Sequence, residues 1–308
     1  MNRVQPFLQV TRARTLPVMA APVIIGSALA WQQGSSFQWG LFVLALVGAM
    51  AAHLGANVIN DVFDFGAGTD QAAQAIMQQG NTVATGSRYL LNGKLTLMYY
   101  RKLAIACFAV ALLCGIVLTI FRPWALLFGI IGFLLAFFYV APPIRLAYIG
   151  HGLGEIDILI SFGILPLVGS FYVQSSTITH VALLASLPIG LYTMAVLYFH
   201  HFLHWRADKE VGKITPVVAL GEKRARIAGA LILLLIAVTI IGDVYLKVFP
   251  WYAIFAVLTI IPVEVALRRA TGDLKQYMKL MAANLNANLF SALIILASLL
   301  VSGFTHSY

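Results

Sequence analysis

The stretch ARIAGALILLLIAVTIIG, Ala225 to Gly242, decides the class of fold. It is apolar from Ile227 onward and lacks the alternation of apolar and polar residues that a membrane β-barrel strand would need. A predominantly apolar run of about 17 to 25 residues is long enough for a helix to cross a bilayer. The stretch therefore predicts a transmembrane α-helix.

The rest of the chain has a similar composition. Of its 308 residues, 61% are hydrophobic and 10% are charged, and the mean hydropathy is +0.90. Soluble domains are about 45 to 50% apolar and about 25% charged, so soluble and disordered classes are excluded. We predict an all-α polytopic membrane protein, one domain over residues 1–308. Nine apolar runs form its bundle: 16–33, 40–61, 102–120, 123–141, 154–173, 180–203, 225–242, 248–267 and 282–302.

The basic residues are distributed unevenly between the two sides of this predicted bundle. All but two of the 20 Lys and Arg residues lie on the side of the amino terminus, the exceptions being Arg122 and Lys247. The positive-inside rule then predicts a cytoplasmic amino terminus and an external carboxyl terminus. Membrane orientation thus explains most of the net charge of +9, and no nucleic-acid partner is predicted.

An acidic segment, GANVINDVFDFGAGTD, ends the second predicted span at 55–70. Asn57, Asp61 and Asp64 are spaced by four and three residues, so they share one helix face. Carboxylates next to hydrocarbon are expected to face a water-filled cavity and a counter-ion, for which Mg²⁺ is the natural choice. Two following glycines would let Asp70 approach the same ion. The alternative is a set of solvated acids, although acids at this helix end oppose the macrodipole.

The stretch NDVFDFGAGTD at 60–70 resembles the first aspartate-rich motif, NDxxDxxxGxD, of the UbiA superfamily of intramembrane aromatic prenyltransferases. Three further stretches are similar to the 1,4-dihydroxy-2-naphthoate polyprenyltransferase branch. They are TRARTLPVMAAPVIIGSALA from Thr11, SRYLLNGKLT from Ser87 and YIGHGLGEIDILISFGILPLVGSFYVQ from Tyr148. The resemblance extends from residue 11 to about residue 222, and the last three predicted helices match only in hydrophobicity.

This resemblance implies a bacterial cytoplasmic-membrane enzyme that transfers a prenyl chain from a prenyl diphosphate to a small aromatic acceptor. The most specific acceptor implied is 1,4-dihydroxy-2-naphthoate, in menaquinone biosynthesis. Divalent ions would clamp the diphosphate and neutralise charge on its leaving oxygen. The implied metal ligands are Asn57, Asp61, Asp64 and Asp208, of which Asp61 and Asp64 are also the candidate catalytic residues. Asp64 is in addition a candidate base for the acceptor hydroxyl.

The same resemblance suggests residues for the two substrates, with those for the diphosphate in motif loops at about 57–94 and 200–222. The candidate diphosphate contacts are Asn60, Asp70, Arg88, Lys213 and Arg206, and the candidate acceptor contacts are Tyr139, Tyr148 and Glu155. Glu155 and Asp157 also begin a predicted span, where acids are favourable to the helix macrodipole without any substrate. Both interpretations of these two acids are open.

The second motif departs from the branch pattern NNxRDxxxDxxxGKxT. The segment here is HHFLHWRADKEVGKIT, residues 200–215, and it keeps the last aspartate as Asp208. The two asparagines, the arginine and the first aspartate of the pattern are replaced by His200, His201, Leu203 and His204. Because His201, His204 and Asp208 follow at three and four residues, they still share one helix face.

Three interpretations of the histidines are open. His201 and His204 are candidate neutral ligands for Mn²⁺, Fe²⁺ or Zn²⁺, which suit imidazole better than Mg²⁺ does. Protonated histidines would instead bind the diphosphate directly. In the third interpretation the histidines only line the cavity. Activity then rests on the other motif residues, or it is changed or lost. A transporter or metal-binding membrane protein is the alternative class, but its polar site would be expected near the bilayer midplane.

Overall fold

The computed structural model describes residues 4–68, 70–71, 74 and 87–306. Every regular element in these ranges is helical, which confirms the predicted all-α class. The α-helices are α1 (Val4–Val10), α2 (Leu16–Gln32), α3 (Trp39–Gly66), α4 (Arg88–Leu91), α5 (Leu97–Phe121), α6 (Ala125–Phe138), α7 (Leu146–Ile149), α8 (Leu153–Leu159), α9 (Leu165–Ser175), α10 (His180–Glu210), α11 (Pro216–Leu220), α12 (Glu222–Tyr245), α13 (Ile260–Arg269) and α14 (Leu274–His306). Two 3₁₀ segments, Ala13–Thr15 and Trp251–Thr259, precede α2 and α13, and a π-helical segment, Ile160–Ile164, joins α8 to α9.

Within the described ranges, eight helices are long and apolar enough to cross a membrane. The ninth apolar helix, α6, has only 14 residues. It stops at Phe138, and Pro142 and Pro143 follow, neither of which has the backbone N–H needed to continue a helix. The membrane bundle is therefore confirmed, whereas the count of nine spans stays a prediction.

The outer surface of the bundle is apolar. On α5, Ile105 and Ile120 are 68% and 73% exposed, and α6 and α12 expose further leucine and isoleucine side chains. An apolar surface of this extent would be unfavourable in water and is typical of helices that face lipid.

The centre of the bundle is α10, which packs against α2, α8, α9, α12 and α14. At one crossing the backbones touch, because a Cβ atom on Gly163 would lie 2.3 Å from the Cα atom of Gly190. This crossing holds the run from α8 to α9 against α10. The helices α3 and α5 pack together, and α3 also contacts α9.

Candidate active site

A cavity of about 1260 Å³ lies between α3, α5, α6, the run from α8 to α9, and α10. Its polar side chains come from the residues before α2, from the last turns of α3 and α10, from α8, and from the loops that follow α3 and α10. They include Arg12, His53, Asn57, Asn60, Asp64, Asp70, Asp157, His200, His201, His204, Asp208 and Lys213. The remaining wall is apolar, with residues such as Ala45, Phe108, Leu112, Phe133 and Leu165. The cavity is thus polar at one end and apolar along its length.

Asp64 lines the polar end with both carboxylate oxygens hydrogen-bonded. The Tyr148 hydroxyl donates to Oδ1 at 2.5 Å, and the Asn60 amide donates to Oδ2 at 3.2 Å. Each carboxylate oxygen keeps a second lone pair. The sequence predicted Asn60 and Asp64 at this site, but it did not predict that Tyr148, a candidate acceptor contact, would hold Asp64.

Asp61 is buried and forms an ion pair with Arg12, which precedes α2. The Asp61 carboxylate beside the Arg12 guanidinium raises the pKa of the arginine. Arg12 lines the cavity, whereas Asp61 is not among the lining residues. Its Oδ2 atom is buried and accepts no hydrogen bond from the described residues.

Asn57 is tied to the start of the chain. Its amide donates to the carbonyl of Thr11 at 3.1 Å and lies 3.3 Å from Nε2 of His53. The Thr15 hydroxyl is 2.8 Å from the same nitrogen. His53 is not among the site residues predicted from the sequence, although its spacing of four residues from Asn57 was the available signal.

Asp70 is buried at the same end of the cavity. The chain turns after α3 through Gly68, whose φ of 80° is readily adopted only by glycine. Asp70 is thereby brought toward the acids of α3, as the spacing suggested. The rest of that predicted motif loop, Thr69 and residues 72–73 and 75–86, lies outside the described residues.

On the opposite wall, α10 supplies Asp208, which lies 3.7 Å from the ammonium group of Lys213. Lys213 follows a turn at Gly212 and stands 5.2 Å from the ring centre of Tyr148. Burial lowers the pKa of Lys213, but the carboxylates of Asp208, Asp64 and Asp70 outweigh it and raise the pKa above its ordinary value. The lysine is therefore a cation held among acids.

The histidines of α10 also face the cavity. His201 Nε2 lies 2.9 Å from Oε1 of Glu155 on α8, and the rings of His200 and His204 are 4.6 Å apart. Glu155 is buried against His201 and is not among the residues that line the cavity. Glu155, a candidate acceptor contact, therefore pairs with a residue of the second motif and does not line the cavity.

The remaining sequence candidates fall in different places. Tyr139 lines the cavity, whereas Arg88 is exposed and is not among its lining residues. Arg206 stacks on its neighbour, with its guanidinium carbon 4.9 Å from the ring centre of Trp205, and also lies outside the lining set. The structure therefore brings Lys213 to the acids but not Arg88 or Arg206.

The donor groups at the polar end fit a hard divalent ion that is shared with a phosphate ligand. Across the described ranges, no group of three or more His, Cys, Asp or Glu side chains is arranged to hold a metal by itself. Mg²⁺ is commonly held by one or two carboxylates together with substrate phosphates, so a complete protein cage is not required. Asp64, Asp70 and Asp208 all line the cavity, and Oδ2 of Asp208 is buried without a hydrogen-bond partner among the described residues.

The fold and the cavity together define a class: a helical membrane protein whose site suits a molecule with an anionic head and an apolar tail. Residues 19–286 match the sequence model of the UbiA prenyltransferase family, and the chain belongs to that family. It is a prenyltransferase and an integral membrane protein.

Two relatives illustrate the similarity. The chain is 32% identical to the 1,4-dihydroxy-2-naphthoate octaprenyltransferase of Escherichia coli (strain K12), over 73% of this chain and 71% of that one. It is 29% identical to the 2-carboxy-1,4-naphthoquinone phytyltransferase of Synechocystis sp., over 83% and 79% of the two chains. A solved structure of a UbiA homologue from Archaeoglobus fulgidus, bound to GPP and Mg²⁺, has the same fold. Its TM-score is 0.68 at 13% identity, over 93% of this chain and 99% of that one.

Proposed function

We propose that the protein transfers a prenyl chain from a prenyl diphosphate to 1,4-dihydroxy-2-naphthoate, a step of menaquinone biosynthesis, in a bacterial cytoplasmic membrane. The cavity carries this proposal, because its acids and cations lie at one end and its apolar wall occupies the rest. The similarity to naphthoate prenyltransferases supports this choice of acceptor. The distribution of Lys and Arg favours a cytoplasmic polar end.

The diphosphate binds at the polar end, between α3 and α10. A divalent ion, for which Mg²⁺ is the first candidate, would neutralise the charge that develops on the leaving oxygen. The residues that would hold it are Asp64, Asp70 and Asp208, with Asn57 and Asp61 on the preceding two turns of α3. Lys213 contributes a point charge to the phosphate oxygens, and Arg12 lies at the same end.

The prenyl tail lies along the apolar wall. At about 1.5 Å per residue, α3 rises by about 28 Å between Ala45 and Asp64, both of which line the cavity. With the diphosphate at the acids and the tail along this wall, the allylic carbon next to the diphosphate lies just beyond the acids. As its bond to the diphosphate breaks, the ring carbon that carries the acceptor's carboxylate forms the new bond and then releases CO₂, and the apolar surroundings keep out water that would quench the cation.

The direct test is prenyl transfer by the purified protein in lipid vesicles, with 1,4-dihydroxy-2-naphthoate and a series of prenyl diphosphates. Reactions contain Mg²⁺, Mn²⁺, Zn²⁺ or a chelator, and product mass reports the acceptor and the chain length together. We expect metal-dependent product, which chelation abolishes. Product formed only from a different acceptor would overturn the choice of naphthoate, and absence of product with every metal and acceptor would overturn the proposed activity.

A further inference from the structure

Asp157 on α8 is a carboxylate that the diphosphate end does not use. It is 3% exposed and lines the cavity, and its Oδ1 atom is buried without a hydrogen-bond partner among the residues that the structure describes. Ser161, about one turn further along, also lines the cavity. Its Oγ atom is likewise buried without a hydrogen-bond partner among the described residues. A buried polar group without a partner is costly. A ligand that hydrogen-bonds both groups would remove that cost.

The backbone around Ser161 is not a regular α-helix, and contacts with neighbouring helices hold it in place. Ser161 belongs to the π-helical segment Ile160–Ile164, and such segments occur frequently at functional sites. The contact between Gly163 and Gly190 fixes this segment against α10. The ring of Phe162 meets that of His53 edge to face, with centres 5.0 Å apart. The two polar groups are therefore held on a rigid wall.

Asp157 and Ser161 follow Glu155, whose partner His201 marks the polar end of α10. Because each helical turn advances about 5.4 Å, Ser161 lies further from the polar end than Glu155 does. Its neighbours Ile158, Phe162 and Leu165 also line the cavity and are apolar, so this position is beside the start of the apolar wall, where the reacting prenyl carbon would lie. An acceptor ring that reaches this carbon would also reach Asp157 and Ser161.

We propose that Asp157 and Ser161 form a subsite for a phenolic hydroxyl of the aromatic acceptor, an inference that rests on the proposed function. The hydroxyl donates to the Asp157 carboxylate, and Ser161 adds a second hydrogen bond. A carboxylate costs far more to bury in this wall than a hydroxyl does, so the acceptor's own carboxylate turns away from the subsite. The subsite thus selects acceptors whose hydroxyl is remote from their carboxylate. A bound cation suits the site less well, since Asp157 is the one acid of α8 that lines the cavity and the diphosphate oxygens are expected at the other acids.

The test compares 1,4-dihydroxy-2-naphthoate with 1-hydroxy-2-naphthoate, which lacks the remote hydroxyl. The quantity measured is the ratio of kcat/KM for the two acceptors, in the wild type and in Asp157→Leu, Asp157→Asn and Ser161→Ala. We expect Asp157→Leu to lower this ratio about tenfold or more, because the hydrogen-bond partner of the remote hydroxyl is lost. Asp157→Asn keeps an acceptor oxygen and should have a smaller effect. The KM for the prenyl diphosphate should not change in any variant.

Asp243 on α12 provides the matched control. It is also 3% exposed with a buried oxygen that lacks a partner among the described residues, but it does not line the cavity. Asp243→Leu should leave the acceptor ratio at the wild-type value. A shift in this control as large as that of Asp157→Leu would overturn the subsite.

A binding measurement separates this inference from the proposed function. The dissociation constants of the two naphthoates are followed by their own fluorescence, with a non-reacting prenyl thiodiphosphate present. If the wild type turns over neither acceptor but prefers the dihydroxy compound, and Asp157→Leu loses this preference, the subsite stands and the proposed reaction fails. An equal preference in the wild type and in both Asp157 variants overturns the subsite, whatever the turnover.

Discussion

Glu155 and His201, on two different helices, form a buried pair with 2.9 Å between Oε1 and Nε2. The pair connects the start of α8 to the second motif on α10. At the position of His201 the naphthoate branch pattern has an asparagine. The histidine is thus oriented at the cavity wall by a carboxylate from another helix.

This pairing predicts strong coupling between the two residues. Glu155→Leu removes the carboxylate, and we expect it to destabilise the protein by about 1 to 3 kcal/mol, because His201 loses its buried hydrogen-bond partner. In the double variant with His201→Asn, the second substitution should cost little more. Thermal unfolding of both single variants and the double variant in detergent measures the coupling. Additive effects would contradict the prediction.

Arg12 is expected to be needed for folding as well as for the site. Arg12→Ala leaves the Asp61 carboxylate buried without its cation, which typically costs about 3 to 5 kcal/mol. Arg14, two residues away, is exposed, and Arg14→Ala should change stability by no more than about 0.5 kcal/mol. Thermal unfolding of the two alanine variants tests this difference. Equal stability of the two variants would show that the ion pair is not needed.

The acids of the first motif should be needed for turnover, and of these Asp64 should not be needed for folding. Asp61→Ala and Asp64→Ala should abolish turnover, as expected for residues that serve the metal and the diphosphate. Tyr148→Phe removes the hydrogen bond to Asp64 and should lower kcat about tenfold, the loss for about 1.4 kcal/mol.

Tyr99→Phe is the control for the tyrosine, because Tyr99 is exposed and outside the cavity lining. Turnover and circular dichroism are measured on the same preparations. Wild-type turnover in both aspartate variants would remove the first motif from the mechanism.

The deep end of the cavity should set the length of the prenyl chain. Gly115 lines it, and a side chain at this position would enter open space. Gly115→Phe is therefore expected to raise the KM for long prenyl diphosphates about tenfold or more, while a C10 donor is unaffected. Gly242 on α12 also has open space but does not line the cavity, so Gly242→Phe is the matched control. Equal loss with short and long donors would contradict this role.

The sequence predicted features that depend on one helix and missed those that depend on two. Asn57 and Asp64 could be assigned to one face because helical spacing is local. The contact of Tyr148 with Asp64 could not be predicted, because it depends on how segments far apart in the chain pack. The same limit applies to Arg88, which lies in a matching stretch but is exposed. The π-helical turn that carries Ser161 has no local sequence signal that we could use.

The last prediction concerns His204, where the naphthoate branch pattern has an aspartate. His204 lines the cavity on the same wall as Asp208. His204→Asp adds a hard oxygen ligand to a site that we propose binds Mg²⁺, so the Mg²⁺ concentration for half-maximal turnover should fall about tenfold, equivalent to about 1.4 kcal/mol. His151→Asp is the control, because His151 is exposed and its left-handed backbone, with φ of 56°, tolerates aspartate. Turnover is titrated with Mg²⁺ and with Mn²⁺ in the wild type and both variants. An unchanged Mg²⁺ requirement in His204→Asp would mean that position 204 does not contact the ion.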